Sequence, residues 1–199
     1  MNETCGEQKA AIRLRVRDRL KGLSAIARRA AAAKVCSRLE QEQVWREARS
    51  VFLYVPLPDE LDIAPLLQAA LEEGKVLALP RFDAGQGKYA AGRVLDLRDN
   101  LRPGRFGISE PKEECQAVPL NQLDFIAAPG VAFSLDGRRV GRGRGFYDRL
   151  LTFVRGVKCG IAFDEQIVDD IPAESHDVRL DCILTPSRWI PVVRNAAIE

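Results

Sequence analysis

The chemistry of this sequence is concentrated between Asp136 and Leu151, DGRRVGRGRGFYDRLL. Gly141, Gly143 and Gly145 alternate with Arg142 and Arg144, and Arg138 and Arg139 lie just upstream. Glycine lets backbone N–H groups turn toward a ligand and approach it closely, so such a loop can form a nest for an anion. Phe146, Tyr147, Leu150, Leu151 and Val154 then recur with helical spacing, and Gly156 is a plausible stop. A glycine loop that opens a helix aims free N–H groups at one point, and arginines add charge-assisted donors. The stretch reads as a seat for several phosphate oxygens. The P-loop pattern GxxxxGK[ST] is absent, and the third glycine is not where a dinucleotide fingerprint requires it. A basic surface turn and an RGG-like segment touching RNA are the alternatives; a disordered RGG tract would not run into an amphipathic stripe.

Other reactive side chains are sparse. His176 is the single histidine and stands in a polar loop, AESHDVRLD, where a solvated role is expected. The chemistry is therefore expected to run without histidine. Cys5, Cys36, Cys115, Cys159 and Cys182 are odd in number and never in C-x-x-C spacing, which argues against a zinc site and a disulfide framework. The formal net charge is only +2, yet it is uneven. Residues 1–50 hold twelve Lys/Arg against six Asp/Glu, and residues 138–158 hold seven against one. Two distant basic runs can face one anionic ligand or be two solvated faces. A nucleic-acid binder would more often be basic throughout.

The elements that must position these groups follow from periodicity. Lys9–Leu23 predicts a basic helix with a stripe at Ile12, Val16, Leu20 and Leu23, on which Lys9 and Arg13 share a face. Ser24 caps a second, alanine-rich helix to about Glu42, so the two form an N-terminal hairpin, and Trp45 anchors its end. Ser50–Leu57 reads as a buried strand, Pro65–Leu71 as a helix ended by Gly74, and Lys75–Phe82 as the next strand, a βαβ unit with parallel pairing. Ligands gather beyond the C-terminal ends of such strands, which draws attention to Val55, Asp59, Glu60, Asp62, Pro80 and Arg81. Asp83–Leu120 reads as short antiparallel pieces suited to an edge or a ligand-covering flap. Leu123–Phe133 is the strongest strand signal and enters the glycine loop through the Asp136–Gly137 turn. Lys158–Phe163 and Cys182–Leu184 follow as short strands. The expectation is one α/β domain over residues 1–199, doubly wound with a mostly parallel sheet. Neither a membrane-length apolar run nor a signal-peptide core is seen, so a cytoplasmic protein is expected.

Laid out in order, these segments resemble the 5-formyltetrahydrofolate cyclo-ligase family, also called 5,10-methenyltetrahydrofolate synthetase. The resemblance rests on K-x-x-x-R (Lys9, Arg13), Y-x-P-L-x-D-E-x-D (Tyr54–Asp62), G-K-x-x-x-L-P-R (Gly74–Arg81) and G-R-F-G-I-x-E-P. Its most specific part runs from Asp124 to Arg149, followed by HDVxLD. It implies a fold related to sugar-phosphate isomerases and CoA transferases, and an ATP- and Mg²⁺-dependent closure of 5-formyltetrahydrofolate to 5,10-methenyltetrahydrofolate. By position it implies nucleotide contacts from Lys9, Arg13 and the loop Arg139, Val140, Gly141, Arg142, Gly143, Arg144, Gly145, Phe146 and Tyr147. It implies substrate contacts from Val55, Glu60 and residues 142–146, catalytic roles for Arg142 and Arg144, and Mg²⁺ at Asp148 and Asp181. The implied partner is a small-molecule folate, with or without additional glutamates, taken by a monomer that binds neither nucleic acid nor membrane. Two positions depart from many relatives: Arg144 stands where glycine or lysine is common, and Phe146 where tyrosine is. A basic RNA-binding protein and a sugar-phosphate isomerase are the competing readings.

Overall fold

The computed structural model describes residues 3–83, 85, 87–104, 107–175 and 177–193. Helix α1 (Cys5–Lys21) starts at a capping box: the Glu7 N–H donates to Thr4 Oγ1, and the Thr4 N–H donates to the Glu7 carboxylate. Its buried stripe is Lys9, Ile12, Val16 and Leu20. Helix α2 (Ala25–Gln41) starts at Ser24, whose side chain accepts the Ala27 N–H. The short α3 (Gln43–Glu47) carries Trp45 into the core, edge-on to Phe125. Helix α4 (Ala64–Glu72) has Pro65 in its first turn, where the missing N–H costs nothing.

The strands in chain order are β1 (Ser50–Phe52), β2 (Val76–Asp83), β3 (Lys88–Val94), β4 (Leu101–Pro103), β5 (Ser109–Pro111), β6 (Ala117–Val118), β7 (Phe125–Ala128), β8 (Ala132–Ser134), β9 (Arg139–Val140), β10 (Val157–Ile161), β11 (Ile167–Val168), β12 (Cys182–Leu184) and β13 (Trp189–Pro191). Eight of them form one sheet in the order β13-β12-β10-β7-β1-β2-β3-β6. The five central strands, β12 to β2, are parallel to their neighbours; β13, β3 and β6 add antiparallel edges. Strands β8, β9 and β11 make a small separate sheet, and β4 pairs with β5.

Alternation along the central strands divides the core between two faces. Val51, Leu77, Phe125, Ala127 and Cys159 pack with the buried stripes of α1, α2 and α4. Phe52, Ala78, Ile126 and Ala128 pack on the other face with Leu150, Leu151 and Val154. The α/β class, the mostly parallel sheet and the N-terminal helical hairpin are as expected. Among the described residues no helix is long and apolar enough to cross a membrane.

Two strands are shorter than their apolar runs. β1 stops at Phe52, and the chain then leaves the sheet toward Pro56 and Pro58, although the Leu53 N–H still donates to the Ala78 carbonyl. The run Leu123–Phe133 is cut at Pro129-Gly130 into β7 and β8, which belong to different sheets. An added Cβ at Gly130 would lie 2.7 Å from the Phe133 ring, so the corner turns there only without a side chain.

Candidate active site

The loop is held from below by a hairpin. The Ser134 N–H donates to the Arg138 carbonyl across the Asp136–Gly137 turn, and Gly137 takes the left-handed φ of 85° that the turn needs. From β9 the chain enters residues 141–145, with positive φ at Gly143 (97°) and Gly145 (57°). Helix α5 (Phe146–Leu151) follows immediately; it is only six residues long and ends before Val154, so its dipole is small and the arginines carry most of the positive potential.

The two basic runs meet here. Arg13 Nε donates to the Gly141 carbonyl at 2.8 Å, and a Cβ placed on Gly143 would lie 3.8 Å from the Arg13 guanidinium. Lys9, one turn earlier, is buried and bonded to Asp177 (2.7 Å) and Glu174 (2.8 Å). Burial alone would depress its pKa; the bonds to both carboxylates outweigh that and raise it. Lys9 thus ties α1 to the segment around His176, a residue that itself lies outside the described residues. The odd cysteines include buried Cys36, Cys159 and Cys182, and all five are free thiols.

Arg139 is the innermost cation. Its side chain is 2% exposed, donates to Asp148 Oδ1 at 2.7 Å and lies over the Tyr147 ring. Burial lowers its pKa against the pull of Asp148, and burial also pushes the Tyr147 hydroxyl far above its ordinary value. Arg139 Nε is buried with no hydrogen-bond partner. Arg142 reaches across the loop to Asp59 (2.6 Å) and to Glu60 Oε1 (3.1 Å). Glu60 Oε2 accepts the Leu57 N–H at 3.0 Å. Burial raises the Glu60 pKa, and the Leu57 N–H and Arg142 offset only part of that rise.

These groups line a cleft of about 1310 Å³. Val55, Glu60, Arg139, Gly141, Arg142, Arg144, Gly145, Phe146, Tyr147 and Asp148 all border it. Phe146 packs edge-to-face against Tyr89 and Tyr147. Opposite stand residues that the sequence did not single out: Phe82 and Tyr89 on the β2–β3 hairpin, and Ile108 and Glu110 on the β4–β5 hairpin. The Phe82 N–H donates to the Glu110 carboxylate, which docks one hairpin on the other. Their flap-like composition was legible; the aromatic wall depends on Phe82, Tyr89 and Phe146 meeting across distant segments and has no local signal.

Not every implied residue borders the cleft. Val140 is buried in β9, and its carbonyl accepts the Val131 N–H, so only its backbone position shapes the loop. Lys9, Arg13 and Gly143 stand beside the cleft, not in its lining. Asp181 is separated from Asp148. It immediately precedes β12, where its Oδ2 accepts the Lys158 N–H at 2.9 Å and its own N–H donates to the Lys158 carbonyl. It stitches the beginnings of two parallel strands, and the pairing of Asp148 with Asp181 around one ion is not formed. Among the described residues no group of three or more His, Cys, Asp or Glu side chains is placed to hold a metal.

Comparison with known proteins gives a consistent picture. The model of the 5-formyltetrahydrofolate cyclo-ligase family matches residues 5–186. A 5-formyltetrahydrofolate cyclo-ligase of Mycolicibacterium smegmatis is 38% identical over 157 residues, covering 73% of this chain and 78% of the relative. That of Escherichia coli K12 is 36% identical over 149 residues, covering 71% and 80%. The solved structure of Aquifex aeolicus 5,10-methenyltetrahydrofolate synthetase superposes with a TM-score of 0.84 at 35% identity over 96% of both chains.

Proposed function

The chain belongs to the 5-formyltetrahydrofolate cyclo-ligase family, and on that premise we propose that it closes 5-formyltetrahydrofolate to 5,10-methenyltetrahydrofolate at the expense of ATP. Cyclo-ligase activity is the family's; the nucleotide, the ion and the residue roles are our reading. The observation that carries it is the convergence of Arg13, Arg139, Arg142 and the glycine loop on one edge of a cleft whose other walls are aromatic and hold the half-buried Glu60.

The formyl group on N5 is an amide and a poor electrophile. Its oxygen attacks the γ-phosphorus of ATP, ADP leaves, and the oxygen becomes part of a phosphate leaving group. N10 then attacks the formyl carbon, loses its proton, and phosphate departs as the methenyl bridge forms. Such phosphoryl transfer asks for alignment and charge neutralisation, not for a histidine. Arg142 and Arg144 supply cations at the loop, with the loop N–H groups beside them, and Arg13 fixes the loop through the Gly141 carbonyl. Binding of a triphosphate draws Arg142 from Asp59 while Glu60, held by the Leu57 N–H, stays in place to accept the pterin's amino and ring N–H groups. Lys9 reaches the phosphates only by giving up Asp177 or Glu174.

The residues fit a magnesium ion in part. Asp148 borders the cleft and engages Arg139 through Oδ1 only, so it can offer its other oxygen; Asp181 is committed to the sheet. One carboxylate with phosphate oxygens and water satisfies Mg²⁺. The ion supplies neutralisation of phosphate charge. Incubation with 5-formyltetrahydrofolate and MgATP, followed by the near-ultraviolet absorbance of the methenyl product, tests the proposal. Folded protein that leaves the substrate intact and hydrolyses no ATP would refute it.

A further inference from the structure

Two neighbouring carboxylates hold Arg142. Its Nη2 donates to Asp59 Oδ1 at 2.6 Å and to Glu60 Oε1 at 3.1 Å, and its Nε donates to the same Glu60 oxygen at 3.2 Å. The turn that presents the carboxylates is closed on itself: the Leu57 N–H donates to Glu60 Oε2, and the Glu60 N–H donates to the Leu57 carbonyl. Pro56 and Pro58 fix φ on either side of Leu57, so the turn keeps its shape whichever way Arg142 points. Across the contact, Arg13 holds the Gly141 carbonyl immediately before Arg142. Both backbones are anchored, and the guanidinium on its long stem is the part that can swing.

Both ligands of the proposed reaction require that swing. Glu60 Oε1 already accepts from two nitrogens of Arg142, Oε2 accepts the Leu57 N–H, and the side chain is only 12% exposed. A pterin head with its own N–H donors reaches Oε1 after Arg142 has withdrawn. A triphosphate at the glycine loop takes the same guanidinium after it has left Asp59 and Glu60. Arg139 is paired with Asp148 and Arg13 with a backbone carbonyl, so it is Arg142 that joins the two seats. Asp59 is exposed, makes none of the ligand contacts proposed above, and accepts the shortest of the three Arg142 bonds. Burial pushes its pKa up, and Arg142, with a weaker pull from Arg17 of α1, more than reverses this.

We propose that Asp59 is a positioning residue that holds Arg142 against Glu60, and that this hold makes folate and nucleotide binding mutually reinforcing. This rests on the folate and ATP reading of the cleft. Each ligand alone must draw Arg142 out; once one has done so, the second meets a site already open. The factor by which one ligand tightens the other is then set by the ratio of held to released Arg142 in the free protein, and it is the same in both directions. Asp59 raises that ratio. Removing its charge must therefore strengthen each ligand alone by the same factor that the coupling loses.

The test is calorimetric titration of the intact chain with 5-formyltetrahydrofolate, with the non-hydrolysable β,γ-imido analogue of MgATP, and with each in the presence of saturating amounts of the other. In wild type each ligand should tighten the other by one common factor, about three- to tenfold for two charge pairs at a half-exposed site. Asp59→Asn should bind each ligand alone about two- to fivefold more tightly and show a coupling factor reduced by the same amount. Asp59→Glu, which keeps the carboxylate, should retain more of the coupling than Asp59→Asn. Independent binding in wild type overturns the proposal, and so does a coupling factor that Asp59→Asn leaves unchanged. A gain in nucleotide affinity that is equal with and without folate would reduce Asp59 to a plain repulsive charge and also overturns it. All three outcomes leave the cyclo-ligase reading standing; failure of folded wild-type protein to bind either ligand overturns both.

Discussion

Aspartates at the two ends of the parallel strands do different work. At the N-terminal edge, Asp124 Oδ2 accepts the N–H groups of Arg49 and Ser50 and the Ser50 hydroxyl, joining the beginnings of β7 and β1. Asp181 does the same between β12 and β10 through Lys158. The bonds hold the Asp124 carboxyl below its ordinary pKa, although burial pushes the other way. Beyond the C-terminal edge, Asp148 and Glu60 face arginines that border the cleft. A carboxylate that precedes a parallel strand meets its neighbour's backbone donors and is spent there. One beyond the strand's end meets loops, and there it remains available to a ligand.

The comparison can be broken most sharply at Asp148. Asp148→Ala leaves Arg139 buried without its counter-charge, so a stability loss of about 3–5 kcal/mol is expected in denaturant unfolding, with activity lost as well. Adding Arg139→Met should recover much of the stability and none of the activity; a stable, active Asp148→Ala protein would show that the pair is incidental. Arg142→Ala should lower kcat/KM about 100- to 1000-fold with little change in melting temperature, since Arg142 is exposed. Steady-state turnover within tenfold of wild type would remove it from the catalytic set. A third test uses pH. Because burial raises the Glu60 pKa, folate affinity should be present above that pKa and lost as pH falls through it, at a higher pH than the ordinary glutamate value of about 4.3 would give. Glu60→Gln should abolish this acid limb; titrations showing the same limb in both proteins would assign it to another group. The smallest effect belongs to Asp181. Asp181→Asn should cost about 1 kcal/mol of stability and leave the Mg²⁺ dependence of turnover unchanged, whereas a raised Mg²⁺ requirement would restore it as a ligand.

Local patterns carried much of the architecture. The Ser24 cap, Pro65 in the first turn of α4, the parallel β1–β2 pair and the Asp136–Gly137 turn all depend on neighbours in sequence, and all are where periodicity and turn chemistry place them. Strand ends were less legible, because Leu53–Leu57 is as apolar as β1 and only tertiary packing decides that it leaves the sheet. In the site, the arginine–glycine loop could be read directly. The engagement of Lys9 by Asp177, the ring contacts of Tyr89 and the commitment of Asp181 to Lys158 could not, since each joins segments that periodicity does not relate.

The bond from Arg13 to the Gly141 carbonyl joins residues 128 positions apart. A ribosome has therefore made α1 to β8 before the loop that α1 holds exists. An N-terminal fragment ending short of the loop leaves the Arg13 side chain without the carbonyl it holds, and the cleft stays incomplete until the loop emerges and docks beneath the helix made first.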